Sequence, residues 1–88
     1  MEIVITDDAK KDFQKWQLSG NKQAMLKIDK LLISISQTPY SGIGKPEALK
    51  HQLSGLWSRE ITQKDRMVYK VETNRVVILS ALGHYTDK

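Results

Sequence analysis

Groups that can transfer protons or bind an anion are concentrated in one stretch of the chain. Residues 44–61 read GKPEALKHQLSGLWSREI and contain a carboxylate, a lysine, a histidine and an arginine, at Glu47, Lys50, His51 and Arg59. A second group, Gly83-His84-Tyr85, lies near the end of the chain. This combination favours a site that cleaves phosphodiesters over a generic basic surface, because such a reaction needs an acid, a base and a cation together.

RNA is a substrate that such groups can cut without a metal ion, because its own 2′-hydroxyl is the nucleophile. A base must take the proton of that hydroxyl, an acid must protonate the leaving 5′-oxygen, and a cation must stabilise the charge that develops on the phosphate. Glu47 suits the base, His84 the acid and Arg66 the cation. A histidine beside phosphate can stay protonated near neutral pH, which favours His84 as the acid. On the residues alone this is one interpretation among several.

Other residues are candidates for supporting roles around these three. Lys50 adds positive potential or orients the RNA backbone, and Tyr85 stacks on a base or hydrogen-bonds to phosphate. Lys45 and Arg59 are further candidates for binding the substrate. His51 is assigned to structure in preference to catalysis, as a residue that closes the loop against the sheet.

Composition limits the class of protein. The chain has 88 residues, of which 40% are hydrophobic and 27% are charged, and this length predicts one domain over residues 1–88. The net charge of +4 favours a polyanionic partner, although simple solubility accounts for it equally well. Without cysteine there is no disulfide or thiolate chemistry, and the two histidines lack metal-ligand spacing, so no metal or other cofactor is expected. With no apolar run near the roughly 20 residues of a membrane span and no signal-peptide pattern, the cytoplasm is the expected location.

Periodicity predicts an α+β fold around these residues. A strand is expected over residues 2–5, then a helix capped by Thr6 and ended by Ser19-Gly20-Asn21, then a second helix from about Asn21 to Gln37. From Gln52 the period changes to two, which predicts strands over residues 53–61, 66–72 and 75–82. The order β-α-α-β-β-β predicts a helical hairpin packed on one face of a twisted, mainly antiparallel sheet.

Alternation along these strands sorts the side chains by face. Three residues of the middle strand are expected to face the helices, namely Met67, Tyr69 and Val71. Their neighbours are expected on the open face, namely Arg66, Val68 and Lys70. In the last strand, alternation places Ser80, Leu82 and His84 on one side. One face of the sheet is therefore predicted to collect Arg66 and His84, with Glu47 approaching from the preceding loop.

Several of these segments, in the same order and at the same spacing, resemble motifs of the YoeB/Txe toxins, which belong to the RelE superfamily of bacterial type II toxin–antitoxin systems. They are GKPEALKH at 44–51, LSGLWSR at 53–59, RMVY at 66–69 and His84-Tyr85. The resemblance spans nearly the whole chain. It implies a RelE-like, microbial-RNase-like fold. It also implies a ribosome-dependent endoribonuclease that cuts mRNA in the decoding (A) site and so inhibits translation.

The same resemblance assigns roles and partners. The family's general base falls on Glu47, its transition-state arginine on Arg66, its general acid on His84 and its loop lysine on Lys50. The tyrosine beside the acid falls on Tyr85, which is therefore expected to be a fourth catalytic residue. The implied partners are a YefM/Axe-like antitoxin whose C-terminal segment wraps the toxin, the ribosome with its mRNA, and operator DNA bound through the antitoxin complex. A second copy of the chain is a further candidate partner, and no membrane is implied.

The chain departs from the family's pattern at three places. Glu60 stands where a second arginine is common, Leu82 where a basic residue is frequent, and Thr86-Asp87-Lys88 extends beyond the usual terminal tyrosine. Alternation puts Glu60 on the open face. We hypothesise that it pairs with Arg66 or Lys70, orients Arg66 and weakens binding of RNA away from the ribosome.

Three classes of function therefore fit the sequence. They are an endoribonuclease toxin, a non-catalytic binder of the ribosome or RNA, and an inactive toxin that retains only antitoxin binding and operator regulation. The lysines of the second helix fit a solvated face and a contact with ribosomal RNA equally well.

Overall fold

The computed structural model describes residues 1–83, which form two helices and a five-stranded sheet. His84, Tyr85 and residues 86–88 lie outside the described residues. In chain order the elements are β1 (Glu2–Ile5), α1 (Asp7–Ser19), α2 (Lys22–Gln37), β2 (Glu47–Ala48), a 3₁₀ turn (His51–Leu53), β3 (Leu56–Glu60), β4 (Arg66–Val71) and β5 (Arg75–Ser80). The sheet has the order β1-β5-β4-β3-β2, with β1 parallel to β5 and all other pairs antiparallel. The predicted α+β class is confirmed.

Both helices begin where the sequence predicts. Thr6 Oγ1 accepts a hydrogen bond from the Ala9 amide at 3.2 Å, and Asn21 Oδ1 accepts one from the Ala24 amide at 3.0 Å. Gly20 ends α1 with a left-handed φ of 71°, which a residue with a Cβ adopts only at a cost. Neither helix is long and apolar enough to cross a membrane, as judged over residues 1–83.

The sheet differs from the prediction at its edges. The two-residue strand β2 pairs with β3 and is too short for any period to reveal it. The strand expected from residue 53 begins at Leu56, because residues 51–53 form the 3₁₀ turn and Gly55 takes a φ of 93°. The last strand ends at Ser80 instead of residue 82, because the Ala81 amide donates to the Asp12 carboxylate and not to a neighbouring strand.

The core lies between the helices and one face of the sheet. Met67 and Tyr69 are fully buried there and Val71 packs against them, as alternation predicts. A β-bulge pairs Val68 with Ser80 and Tyr69 with Ile78, and this turns Ser80 to the face of Val68. The prediction that Leu82 shares the open face is wrong, since it packs against the core beyond the end of β5.

Candidate active site

Arg66, the first residue of β4, is held in one orientation by neighbouring groups. Its Nε donates to Ser58 Oγ at 2.8 Å, and its Nη2 donates to the Lys45 carbonyl at 2.8 Å and to the Ser58 carbonyl at 3.3 Å. The residue is only 8% exposed. Because these bonds do not involve a substrate, the guanidinium is oriented before one binds, which is the arrangement that favours transition-state stabilisation.

Glu47 lies beside Arg66 because of strand β2. Its register partner on β3 is Ser58, the residue that also binds Arg66, and register partners share a face of the sheet. Glu47 Oε2 lies 3.8 Å from Arg66 Nη2, and the Glu47 side chain is 61% exposed. A carboxylate so exposed is accessible to a hydroxyl group of a bound substrate. The structure thus brings together two of the four predicted catalytic residues, and the other two, His84 and Tyr85, lie outside the described residues.

The loop before β2 supplies the Lys45 carbonyl that binds Arg66. Gly44 and Lys45 both have left-handed φ angles, of 83° and 51°. A Cβ on Gly44 would lie 2.6 Å from a methyl group of Leu31, so this position must remain glycine for the loop to pack as it does. The Gly44 carbonyl accepts a hydrogen bond from the Glu60 amide, which fixes the loop against β3.

Glu60 pairs with a different cation from the one expected. It is the register partner of Arg66, yet its carboxylate lies 3.9 Å from the Lys45 ammonium. Lys70 is 3.9 Å from Glu72 instead. Among residues 1–83 no ion pair joins Glu60 to Arg66 or Lys70, so the predicted pairing is wrong. The orientation of Arg66 comes from Ser58 and the Lys45 carbonyl.

Arg59 is the clearest correction to the predicted site. It is completely buried, and all five of its N–H groups donate hydrogen bonds inside the protein. The acceptors, at 2.7–3.0 Å, are Tyr69 Oη, Ser34 Oγ and the carbonyls of Thr38, Ser41 and Ile43. A guanidinium in this position is not available to RNA, which contradicts the prediction that Arg59 binds substrate. The signal was present in the sequence, because alternation places Arg59 on the same face as the core residue Ile61.

Tyr69 completes the hydrogen bonds around Arg59. Its hydroxyl accepts from Arg59 Nε at 3.0 Å and donates to the Pro39 carbonyl at 2.6 Å. Burial raises the pKa of Tyr69 above its ordinary value, and the hydrogen bond and charge of Arg59 offset part of that rise. Tyr69 and Arg59 together attach the end of α2 and the following loop to the sheet.

The remaining predicted residues of the loop are exposed. Lys50 accepts a hydrogen bond from the Leu53 amide through its carbonyl, and its side chain is directed to the surface. His51 begins the 3₁₀ turn with a φ of 56°, and its carbonyl accepts from the Ser54 amide at 3.1 Å. His51 therefore closes the turn with its backbone. Its side chain is exposed, whereas the sequence predicts that it closes the loop against the sheet.

Two further residues near Arg66 were not singled out from the sequence. Ser58, which is fully buried, binds Arg66, and Asp65 accepts a hydrogen bond from the Gly83 amide at 2.9 Å. The Arg66 amide donates to the Gly83 carbonyl, also at 2.9 Å. Gly83 is the residue before His84, so the described chain leads directly to the predicted acid. Over residues 1–83 no three histidine, aspartate or glutamate side chains converge to hold a metal ion.

Comparison with known proteins shows which family this arrangement belongs to. The family described as the YoeB-like toxin of bacterial type II toxin–antitoxin systems matches residues 5–85. The chain belongs to this family. The resemblance predicted from the motifs is confirmed.

Individual YoeB relatives agree over almost their full length. Toxin YoeB of Escherichia coli K12 is 39% identical over 85 residues, which cover 97% of this chain and 100% of that protein. The structure of a YoeB/ParE toxin from Agrobacterium tumefaciens superimposes with a TM-score of 0.88 at 35% identity and covers 97% of this chain and 100% of the other. YoeB of Staphylococcus aureus, solved as a dimer and in a complex with YefM, gives TM-scores of 0.85 and 0.83 at 38% identity, covering 97% of this chain and 98% of that one.

Proposed function

We propose that this YoeB-like toxin is a ribosome-dependent endoribonuclease that cuts mRNA in the decoding (A) site and thereby inhibits translation. The observation that carries the proposal is the pair of Glu47 and Arg66. An exposed carboxylate lies 3.8 Å from a guanidinium that Ser58 and the Lys45 carbonyl hold in place. A base and an oriented cation at this separation are what attack of a 2′-hydroxyl on the adjacent phosphate requires.

In the proposed reaction Glu47 accepts the proton of the 2′-hydroxyl while the oxygen of that hydroxyl forms a bond to phosphorus. The bond from phosphorus to the 5′-oxygen breaks, and His84 gives that oxygen a proton. Arg66 stabilises the negative charge on the phosphate oxygens between these events. The products are a 2′,3′-cyclic phosphate and a 5′-hydroxyl, and no metal ion takes part. Lys50 binds the substrate in this proposal, and Tyr85 is a fourth catalytic residue that stacks on a base or hydrogen-bonds to phosphate.

The charge balance around Arg66 supports dependence on the ribosome. Glu47 lies opposite Arg66 at 3.8 Å and Glu60 opposite Lys45 at 3.9 Å, so two cations are matched by two carboxylates. Cations that are already paired with carboxylates attract free RNA weakly, because affinity for phosphates comes largely from uncompensated cations. An mRNA already bound to the ribosome does not need that attraction.

We also propose a YefM-like antitoxin as the partner of this chain, a cytoplasmic location, and operator DNA as a target of the complex. The S. aureus relative was solved in a complex with YefM and as a dimer, which supports an antitoxin and a second copy of this chain as partners here. Leu26 and Ile33 of α2 are 61% and 59% exposed, and apolar side chains on one helix face suit a protein partner.

The same charge balance also favours a second candidate, an inactive toxin that keeps only antitoxin binding and operator regulation. Glu60 places an acid in a cluster that must accept phosphate. A third reading, arrest of translation by occupancy alone, predicts inhibition without cleavage.

Mapping of RNA ends during induced expression separates the three. The variants are Glu47→Gln, Arg66→Ala and His84→Gln, with Asp8→Asn as a control for loss of an exposed carboxylate on the helical side of the protein. Breaks at codon positions in the wild type and in Asp8→Asn, strongly reduced in the other three, support the nuclease. Arrested translation without new ends supports the binder, and unaffected translation supports the inactive toxin.

A further inference from the structure

The backbone segment Ala81–Gly83 is anchored at both ends by aspartates from distant parts of the chain. At Ala81 the amide donates to Asp12 Oδ2 at 2.9 Å, and the carbonyl accepts from Trp16 Nε1 at 2.6 Å. At Gly83 the amide donates to Asp65 Oδ1 at 2.9 Å, and the carbonyl accepts from the Arg66 amide at 2.9 Å. The peptide groups of both residues are therefore fixed although they follow the end of β5.

Asp65 is itself held by the turn between β3 and β4. The Thr62 hydroxyl donates to Asp65 Oδ2 at 2.8 Å and accepts from the amides of Lys64 and Asp65 at 3.1 Å. The Asp65 carbonyl accepts from the Ile61 and Thr62 amides at 2.9 and 3.2 Å. One carboxylate oxygen is thus fixed by the turn, and the other is left to accept from Gly83.

This anchor is joined to the candidate active site through the chain. Asp65 and Arg66 are consecutive residues, and both bind the backbone of Gly83. The Asp65 carboxylate accepts a hydrogen bond from the Gly83 amide, and the Arg66 amide donates one to the Gly83 carbonyl. Gly83 has a φ of 88°, a conformation that favours glycine. The next residue in the chain is His84.

We propose that Asp65 is a positioning residue for the general acid, with Asp12 as a second anchor on the same segment. The inference rests on the proposed function. Asp65 acts through the Gly83 amide: it fixes the backbone of the residue that precedes His84, and the Arg66 amide binds the carbonyl of the same residue. It contributes geometry and not charge, so a neutral side chain with an acceptor at the same position should replace it.

Single-turnover cleavage of mRNA on the ribosome tests this with Asp65→Ala and Asp65→Asn. Asparagine keeps an acceptor for the Gly83 amide in its Oδ1 and loses only the hydrogen bond from the Thr62 hydroxyl, so we expect a rate within about threefold of the wild type. Alanine frees Gly83, and we expect the maximal rate to fall about 10- to 100-fold with the half-saturating ribosome concentration changed less than about twofold. Gln63→Ala, an exposed change in the same turn, is the matched control.

The Asp65→Ala change made in a His84→Gln background distinguishes positioning of His84 from general damage. If Asp65 acts through His84, its removal should have less than about a twofold further effect there, because residues that act as a unit are not additive. The 10- to 100-fold loss should persist in a Glu47→Gln background. If Asp65→Ala does not fold, Thr62→Val, which removes the hydroxyl that orients Asp65, should lower the rate about 3- to 10-fold in the same pattern.

Two results would overturn the inference while leaving the proposed function intact. They are cleavage by Asp65→Ala at the wild-type rate, or a full loss that remains in the His84→Gln background. A wild-type protein that does not cut mRNA overturns the proposed function and this inference together.

Discussion

Arg59 and Arg66 lie on adjacent antiparallel strands of one sheet, and their surroundings could hardly differ more. Arg59, on the core face, donates all five of its N–H groups to protein acceptors. Arg66, on the other face, is held along one side by Ser58 and Lys45, lies 3.8 Å from an exposed carboxylate, and makes no hydrogen bond through Nη1 to residues 1–83. All the N–H donors of Arg59 are therefore satisfied within the protein, whereas Arg66 retains donors that can bind a substrate.

The positive charge of Arg59 is buried and has no acidic partner among residues 1–83, and its surroundings explain why this is tolerated. Its Nη2 donates to the carbonyl of Thr38, the residue that ends α2. The C-terminal end of a helix carries a partial negative charge, so a cation there is stabilised, and carbonyl acceptors bound to a charged donor form stronger hydrogen bonds than neutral pairs do. Whether an arginine in a catalytic motif is available to a substrate therefore depends on which acceptors already bind its N–H groups.

Replacement of Arg59 should have the largest effect on stability. Arg59→Ala removes five hydrogen bonds and leaves buried acceptors unpaired, which should lower the free energy of unfolding by about 3–5 kcal/mol. Urea denaturation followed by circular dichroism measures this. Arg59→Lys should recover only part of the loss, because an ammonium cannot reach acceptors arranged for a planar fork. A loss below about 1 kcal/mol would show that these hydrogen bonds do not stabilise the fold.

Replacement of Arg66 should instead affect catalysis. Arg66→Ala should lower the rate of single-turnover cleavage by about 10²–10³-fold, the usual effect of removing one preorganised transition-state donor. The free energy of unfolding should change by less than in Arg59→Ala, since Arg66 makes fewer bonds. If the two variants show the same ratio of lost activity to lost stability, the contrast between the two arginines fails.

The pH dependence of stability tests the surroundings of Arg59, because Tyr69 binds this arginine. Tyr69→Phe removes two buried hydrogen bonds and should cost about 1–3 kcal/mol at neutral pH. Because burial raises the pKa of Tyr69 in the folded protein, the folded state holds the phenolic proton more tightly than the unfolded state. The corresponding stability is complete below the ordinary value of about 10 and declines as pH rises above it. Denaturation between pH 9 and 11 should therefore narrow the difference between wild type and Tyr69→Phe, and a constant difference would contradict the raised pKa.

Replacement of Glu60, the register partner of Arg66, should have the smallest effect, and it should affect the binding of free RNA. Glu60→Gln frees the Lys45 ammonium and should raise affinity for free RNA a few-fold, with a steeper dependence on salt. Glu60→Arg should strengthen both changes. Glu72→Gln is the matched control, because Glu72 also lies 3.9 Å from a lysine but on the hairpin between β4 and β5. Unchanged RNA affinity and cleavage in Glu60→Arg would rule out a role for this acid.

Much of this architecture could be predicted from periodicity. The two helices, the cap at Thr6 and the buried positions of Met67 and Tyr69 follow from local rules that tertiary contacts did not override. Strand β2 could not be predicted, since two residues carry no period, and yet it is what brings Glu47 to Arg66. The bulge that turns Ser80 to the face of Val68 likewise depends on the pairing of whole strands.

The sequence singles out Glu47 and Arg66, which lie together in the structure, but not the residues that hold them in place. Arg59 was assigned to RNA because it lies in a dense motif, although its alternation with Ile61 indicated the core. The position of Asp65 between two predicted strands indicates only a connection, because nothing local shows that its carboxylate binds Gly83, 18 residues along the chain. Residues that position a site act through contacts distant in sequence, and these appear only in the folded chain.

Attack by the 2′-hydroxyl is the central claim, and one substitution in the substrate tests it most directly. An mRNA with a single 2′-deoxy nucleotide at the cleaved position of the A-site codon is compared on the ribosome with the all-ribose mRNA. We predict cleavage of the ribose form to a 2′,3′-cyclic phosphate and a 5′-hydroxyl, and no cleavage of the deoxy form at that position. Cleavage of the deoxy form, or a 5′-phosphate on the downstream product, would contradict the account.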